Sequence, residues 1–395
     1  MSEQPARTRY DVVIAGGAVV GAATAFFLTR GPRPPRVLVV ERDPGYARSS
    51  TMLSSASIRQ QFSTPVNVAI SQFGVAFLRD ARGWLGAEVP DLGFRENGYL
   101  VLAGPTGAET LAGMVAMQRG LGAETVLLEP AEIARRFPWL RADDLGAGAL
   151  GLSGEGWFDA AGLLQGLLRA ARAQGAEIVA DSVTGLERAG DRVTAAHLAS
   201  GARIACGHVV NAAGPRAAQV AAMAGLSLPV EPRKRHSFVF SCPDPVRGPM
   251  PLVACPSGVY VRPEGSLFLT GGASEPDPAA DPDDFDTDHE LWEERLWPAL
   301  AHRVPQFERA RVETWWTGHY AMNTLDRNAV IGPAPELPNF LFANGFSGHG
   351  LQQAPAVGRG LAELILEGGY RSLDLSPLEA ERLATRTPLS EAAVI

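Results

Sequence analysis

Two glycine-rich turns and one acid carry the chemistry that the sequence states most directly. Gly16-Gly17-Ala18-Val-Val-Gly21 follows a β-branched run, Asp11–Ala15, and opens an apolar segment reaching Arg30; Glu41 closes a second such run, Arg36-Val-Leu-Val-Val-Glu41. In the GxGxxG arrangement the first glycine permits a tight turn, the middle one lets the backbone approach a pyrophosphate, and the third lets helix and strand pack closely. Ala18 takes the middle place, so a diphosphate is expected to sit slightly off the usual line. The helix that follows offers its N–H groups and positive dipole end to phosphate, and Glu41, twenty residues past Gly21, is placed to accept the two ribose hydroxyls. Near the other end, Gly345-Phe-Ser-Gly348-His349-Gly350 lies between a strand-like run, Asn339–Asn344, and an amphipathic segment, Leu351–Ile365. A hydrolase elbow, GxSxG, needs glycine where His349 stands. The turn suits instead a second set of backbone donors aimed at an electron-rich ring.

The elements that must hold these turns follow from the same pattern. Strand, glycine turn, helix, proline-rich stop at Gly31–Pro35, strand and acid form a βαβ dinucleotide unit. A helix over Leu163–Ala173, a strand at Ala176–Val179 and a strand at His208–Gly214 extend it. Glu96–Arg141 and Val230–Trp316 differ in texture, with alternation such as Arg235–Phe240 and Val259–Arg262 that predicts a mixed sheet with one covered face. The acidic, proline-rich stretch Glu275–Asp288 reads as a surface loop. The run from Val12 to Leu28 is almost uncharged, but Gly16, Gly17 and Gly21 interrupt it, so no membrane span is expected.

Composition narrows the chemistry further. The chain has 395 residues, 35 basic against 43 acidic, for a net charge of −8, and no like-charge block, which argues against a nucleic-acid surface. Among the basic residues only Lys234 is a lysine, so any lysine-centred mechanism must run through it. Cys206, Cys242 and Cys255 have neither CxxC nor metal spacing; no metal site and a reducing, cytoplasmic location are expected.

Ser57-Ile-Arg59-Gln-Gln-Phe-Ser63, Val230–Arg235, Tyr320-Ala-Met-Asn-Thr-Leu-Asp326 and Gly345–Pro355, together with the first turn, resemble the FAD-dependent amine oxidoreductases of the D-amino-acid oxidase superfamily. Glycine oxidase and monomeric sarcosine oxidase belong to that group, as does a branch associated with mitochondrial complex I assembly. The resemblance implies an α/β protein, α+β overall, with a glutathione-reductase-like Rossmann FAD-binding domain (1–85, 150–228 and 326–385). A mixed-sheet substrate domain (86–149 and 229–325) is interleaved with it, and a tail covers 386–395. It also implies roles. Gly16, Gly17, Ala18 and Gly21 would cradle the pyrophosphate, Glu41 and Arg42 the adenosine side, Ser50 and Thr51 the diphosphate and flavin side, and Val183 and Gly214 the nucleotide wall. Gly348, His349, Gly350 and Leu351 would meet the pyrimidine end of the flavin.

Arg59 aligns with an arginine that grips the substrate carboxylate in sarcosine oxidases, and Gln352 stands where those enzymes add a lysine. Tyr320 and His349 would orient substrate or tune the flavin, or serve as polar wall. The lysine that speeds reaction with oxygen aligns near Phe268, so that role is expected to be vacant. The FAD is expected to be non-covalent: the family's cysteine tether falls near Gly318 or His319 and a histidine tether near Leu53, with His319 left open as a tether. The implied activity is oxidation of an amine or amino acid, secondary amines first and D-amino acids next, with oxygen or another acceptor taking the electrons. A flavin-binding assembly factor with little turnover is the alternative from another class.

Overall fold

The computed structural model describes residues 4–244, 246 and 248–393. Its centre is a sheet in which five parallel strands lie in the order Leu337–Asn344, Arg203–Asn211, Arg9–Ala15, Val37–Glu41 and Glu177–Ala180. Strand Val330–Ala334 pairs antiparallel at one edge, and the hairpin Val183–Ala189/Arg192–Leu198 joins through strand Arg203–Asn211. The central strands read as continuous apolar runs because helices cover the sheet. Val12, Ile14, Val37 and Val39 pack on helices Val19–Thr29 and Ala160–Ala173 in one apolar core.

Local chemistry sets the element ends. Helix Val19–Thr29 stops just before the glycine- and proline-rich turn. Helix Ala160–Ala173 begins at Asp159, whose side chain accepts from the Gly162 amide at 3.0 Å. Helix Gly350–Glu367 ends at Gly368, in the left-handed conformation that glycine takes without strain. That helix crosses helix Val19–Thr29 so closely that a methyl on Gly358 would come within 2.7 Å of the Thr24 nitrogen.

The second sheet runs Arg311–Asn323, Val230–Ser241, Leu267–Gly272, Tyr260–Glu264, Leu252–Ala254, Tyr99–Ala103, Ala147–Gly151, Thr125–Leu128. It is mixed: only Leu252–Ala254 and Tyr99–Ala103 run parallel. Its covered face presents Phe238 and Phe240 to Leu296, Leu300 and Phe307 of the helical segments over residues 292–309. Phe268 stacks on Phe240 at 5.4 Å in this aromatic cluster, and so lies away from the cleft between the sheets. Strand alternation turns the Phe268 side chain into this core.

The two sheets meet through the segment after the second parallel strand. The Ser50 hydroxyl donates to the His319 carbonyl at 2.7 Å, the Trp316 indole to the Leu53 carbonyl at 3.0 Å, and Arg262 to the Ser55 carbonyl at 2.8 Å. No helix among the described residues is long and apolar enough to cross a membrane.

Candidate active site

A cleft of about 750 Å³ opens where the parallel strands end, the usual ligand position in such sheets. Gly16, Ala18, Glu41, Arg42, Ser50, Thr51, Val183, Gly214, Gly348, His349, Gly350 and Leu351 all line it, as do Arg59, Tyr320 and Gln352. Gly17 and Gly21 do not.

At one end the first glycine turn shows why its residues are what they are. Gly16 has φ +100°, and a methyl there would overlap the Ala212 carbonyl. A methyl on Gly21 would fall on the Gly16 carbonyl oxygen, so this glycine serves turn and helix packing rather than ligand contact. Ala18 has φ −67°, an ordinary value for an L residue, so its methyl sits at the cleft wall without backbone strain. Neither the Ala18 nor the Val20 amide finds an acceptor among the described residues, whereas the Val19 amide is taken by the Thr51 hydroxyl at 3.2 Å. Thr51 thus anchors the turn from a distance. Glu41 accepts from the Gly17 amide at 2.7 Å and the Asp43 amide at 2.8 Å. Burial pushes its pKa up, and those two N–H bonds pull it back.

Loop 275–288 lies at the surface, as its composition predicts, and also borders the cleft. Pro282, Asp283 and Phe285 reach the cleft wall, and Asp283 pairs with Arg42 at 3.4 Å and with Arg216. Lys234 is drawn to the same loop, 2.5 Å from Asp284, and does not line the cleft.

The second glycine turn closes the other side. Gly348 has φ +96°, and any Cβ would overlap the Tyr320 ring; glycine is required for that ring to lie against the backbone. The Arg235 guanidinium lies over the Tyr320 ring, 4.6 Å from its centre. Gly350 and Leu351 begin an 18-residue helix, and first-turn amides have no partner inside their own helix. His319 is buried, meets the Phe285 ring edge-on at 4.7 Å and leaves its Nε2 without a partner.

Arg59 marks the far end. Its side chain is buried, 3% exposed, yet no carboxylate among the described residues lies within ion-pair distance, and its Nε has no partner. The guanidinium lies 4.7 Å from the Phe62 ring centre, and Nη2 donates to His349 Nε2 at 3.2 Å and to the Ala393 carbonyl. A guanidinium only donates, so His349 must present a bare Nε2. Desolvation and the neighbouring Arg59 charge hold His349 neutral, well below the ordinary imidazole range, against the smaller opposing pull of Glu391 and the Ala393 carbonyl. The Gln352 side-chain oxygen accepts from the Arg59 backbone amide at 2.9 Å, so the residue, itself on the cleft wall, holds the arginine's backbone in place.

Residues that sequence reasoning did not single out complete this end: Tyr99, Leu252, Ser237 and Tyr260 line it. The alternation in Arg235–Phe240 held a signal for Ser237, since Arg235 and Ser237 share the face opposite Phe238 and Phe240. Asp326, which ends the Tyr320–Asp326 stretch, is structural. It accepts from Asn323, the Asn328 and Leu389 amides and Arg382, the last a buried ion pair at 2.8 Å. Among the described residues no cluster of ligands fit for a metal occurs.

A Rossmann-type crevice facing a mixed-sheet wall defines a dinucleotide-dependent oxidoreductase of two-layer flavoprotein design. The family model for FAD dependent oxidoreductases, DAO, matches residues 11–364, and the chain belongs to that family. It is 42% identical over 406 residues to the FAD-dependent oxidoreductase domain-containing protein 1 of Bos taurus, covering 93% of this chain and 84% of that one. It is 30% identical over 387 residues to the glycine oxidase of Geobacillus kaustophilus, with 95% and 97% covered. Among solved structures, L-proline dehydrogenase from P. horikoshii superposes with a TM-score of 0.83 at 26% identity, covering 98% and 99% of the two chains.

Proposed function

We propose that this FAD-dependent oxidoreductase oxidises the C–N bond of a small amine that carries a carboxylate, with N-substituted amino acids as the first candidates and D-amino acids as the next. The observation that carries the reading is Arg59: a buried guanidinium on the cleft wall with no carboxylate partner among the described residues. Burying a lone cation is costly, and a ligand carboxylate offsets that cost through paired, charge-assisted hydrogen bonds.

The residues fit the flavin. Ala18 and Val20 offer unused amides at the cleft wall, and Gly350 and Leu351 stand at the positive end of a long helix. Bound there without a covalent link, FAD would supply a two-electron acceptor, taking a hydride from the carbon next to nitrogen and leaving an imine that water hydrolyses. The protein's own part is placement. Arg59 fixes the carboxylate, neutral His349 and Gln352 fix Arg59, and Tyr99, Tyr260 and Tyr320 wall the reacting centre. None of these need exchange a proton if the amine binds deprotonated. Lys234, tied to Asp284, leaves no lysine on the cleft wall, which supports an electron acceptor other than oxygen.

The test is anaerobic: the FAD-loaded protein is mixed with N-substituted amino acids, D-amino acids and the same amines lacking the carboxylate. Loss of the oxidised-flavin absorbance with a carboxylate-bearing amine is expected. No loss across a broad panel would favour a flavin-dependent scaffold.

A further inference from the structure

The last described residues leave helix Glu381–Thr385 and run back to the active site with no helix or strand of their own. They are fastened at successive points. The Leu389 amide donates to Asp326 at 3.0 Å, its carbonyl accepts from Asn328 at 3.0 Å, and the Glu391 amide donates to the Asp326 carbonyl at 3.0 Å. Glu391 then turns inward. Only 1% exposed, its carboxylate accepts from the Ser63 amide (2.8 Å), the Ser63 hydroxyl (2.5 Å), the Thr64 hydroxyl (2.9 Å), the Asn67 amide group (2.9 Å) and the Ala393 amide (3.0 Å). This cage sits at the start of helix Pro65–Arg79, whose dipole also favours an anion. Ser63 accepts in turn from the Ala392 amide at 2.8 Å, and the next carbonyl, that of Ala393, receives Arg59 Nη2.

We propose that Glu391 is a positioning residue for Arg59, and that the strap Leu389–Ala393 is the back wall of the carboxylate subsite. The proposal rests on the reading of Arg59 given above. Three observations support it. Ser63 lies four residues beyond Arg59 on one loop, so the cage and the guanidinium contact bracket that loop. The group delivered to Arg59 is a neutral carbonyl, which orients the cation without cancelling its charge, while the Glu391 charge stays locked in the cage nearby and lowers the cost of burying it. Arg59 lines the cleft whereas no residue from 386 to 393 does, so the strap meets the guanidinium from outside the ligand space.

The test uses the full-length, FAD-loaded protein and two matched probes, benzoate and benzamide, followed by the change each makes in the flavin spectrum. The wild-type protein is expected to prefer benzoate, and Arg59→Ala to lose that preference. Glu391→Ala is expected to cut the benzoate-to-benzamide preference by about tenfold or more, with benzamide affinity and FAD content unchanged. A chain ending at Arg386 should match it. Ser63→Ala, which loosens the cage without removing a charge, should show a smaller loss, and it carries the comparison if Glu391→Ala does not hold FAD. A preference unchanged by Glu391→Ala and by strap removal, while Arg59→Ala abolishes it, would overturn the proposal and leave the Arg59 reading intact. Equal weakening of both probes, or tighter benzoate binding without the strap, would also overturn it. Absence of any preference in the wild-type protein would remove the Arg59 reading itself.

Discussion

At the end of the cleft proposed for the nucleotide the contacts are short in sequence: Gly17 reaches Glu41 24 residues on, and Val19 reaches Thr51 32 residues on. At the end proposed for the substrate, Arg59 and His349 are 290 residues apart, and Tyr99, Ser237 and Tyr260 arrive from the other sheet. The first end is made largely of backbone, fixed by glycines and a helix start. The second is made of side chains, fixed by partners from distant segments. Substitutions at the first should therefore act through cofactor retention, and those at the second through ligand choice and pH.

Gly21→Val gives the largest expected effect. Its side chain would meet the Gly16 carbonyl, which is backbone and cannot swing aside, so the protein should purify without FAD or fail to fold. The FAD-to-protein absorbance ratio reads this, and a yellow, stable variant would break the claim that the turn is backbone-limited.

Next is Arg382→Ala, at the edge of the substrate end. It leaves Asp326 buried without its cation, a loss of about 3–5 kcal/mol. Denaturant unfolding of the FAD-loaded protein measures it, and a change under about 1 kcal/mol would show that the Asp326 hub is not structural.

Glu155 offers a pH-dependent contrast. It is fully buried and accepts from the Gln60 amide and the Gln61 side chain, both at 2.7 Å. Burial pushes its pKa up to about 7 from the usual 4.5, against those hydrogen bonds and the Arg59 charge. A raised acid pKa means the folded state holds the proton more tightly. Its stabilising effect is full below about pH 4.5 and is lost as pH rises through 7, by about 3 kcal/mol in all. Glu155→Gln should therefore flatten the stability profile between pH 5 and pH 8, relative to wild type, when Tm is followed across pH. Parallel profiles would refute the assignment.

Ala18→Gly should matter least. Ala18 already has ordinary dihedrals, so the change in FAD affinity should be about 1 kcal/mol or less. A large gain would mean that the methyl, not the turn, limits cofactor binding.

The same contrast explains what the sequence made legible. The first strand, helix and second strand were readable to within two residues because strand period, glycine geometry and helix stops are local. The turn at 345–350 was readable for the same reason. Composition and periodicity said nothing of Arg59; only family resemblance pointed to it. The hold of Gln352 on the Arg59 backbone and the Glu391 cage depend on tertiary packing, to which a sequence window is blind. Phe268 shows the converse: a position aligned near a reactive group packs instead among aromatic rings.

The central claim is that Arg59 turns a flavin cleft into a site for carboxylate-bearing amines. Anaerobic mixing of wild-type and Arg59→Ala protein, each loaded with FAD, with a substrate found by the panel tests it most directly. Full flavin reduction is expected in the wild type. In the variant, reduction should be about two to three orders of magnitude less efficient, with no such difference for the matching amine that lacks the carboxylate. Equal reduction of both proteins by the carboxylate-bearing amine would contradict it.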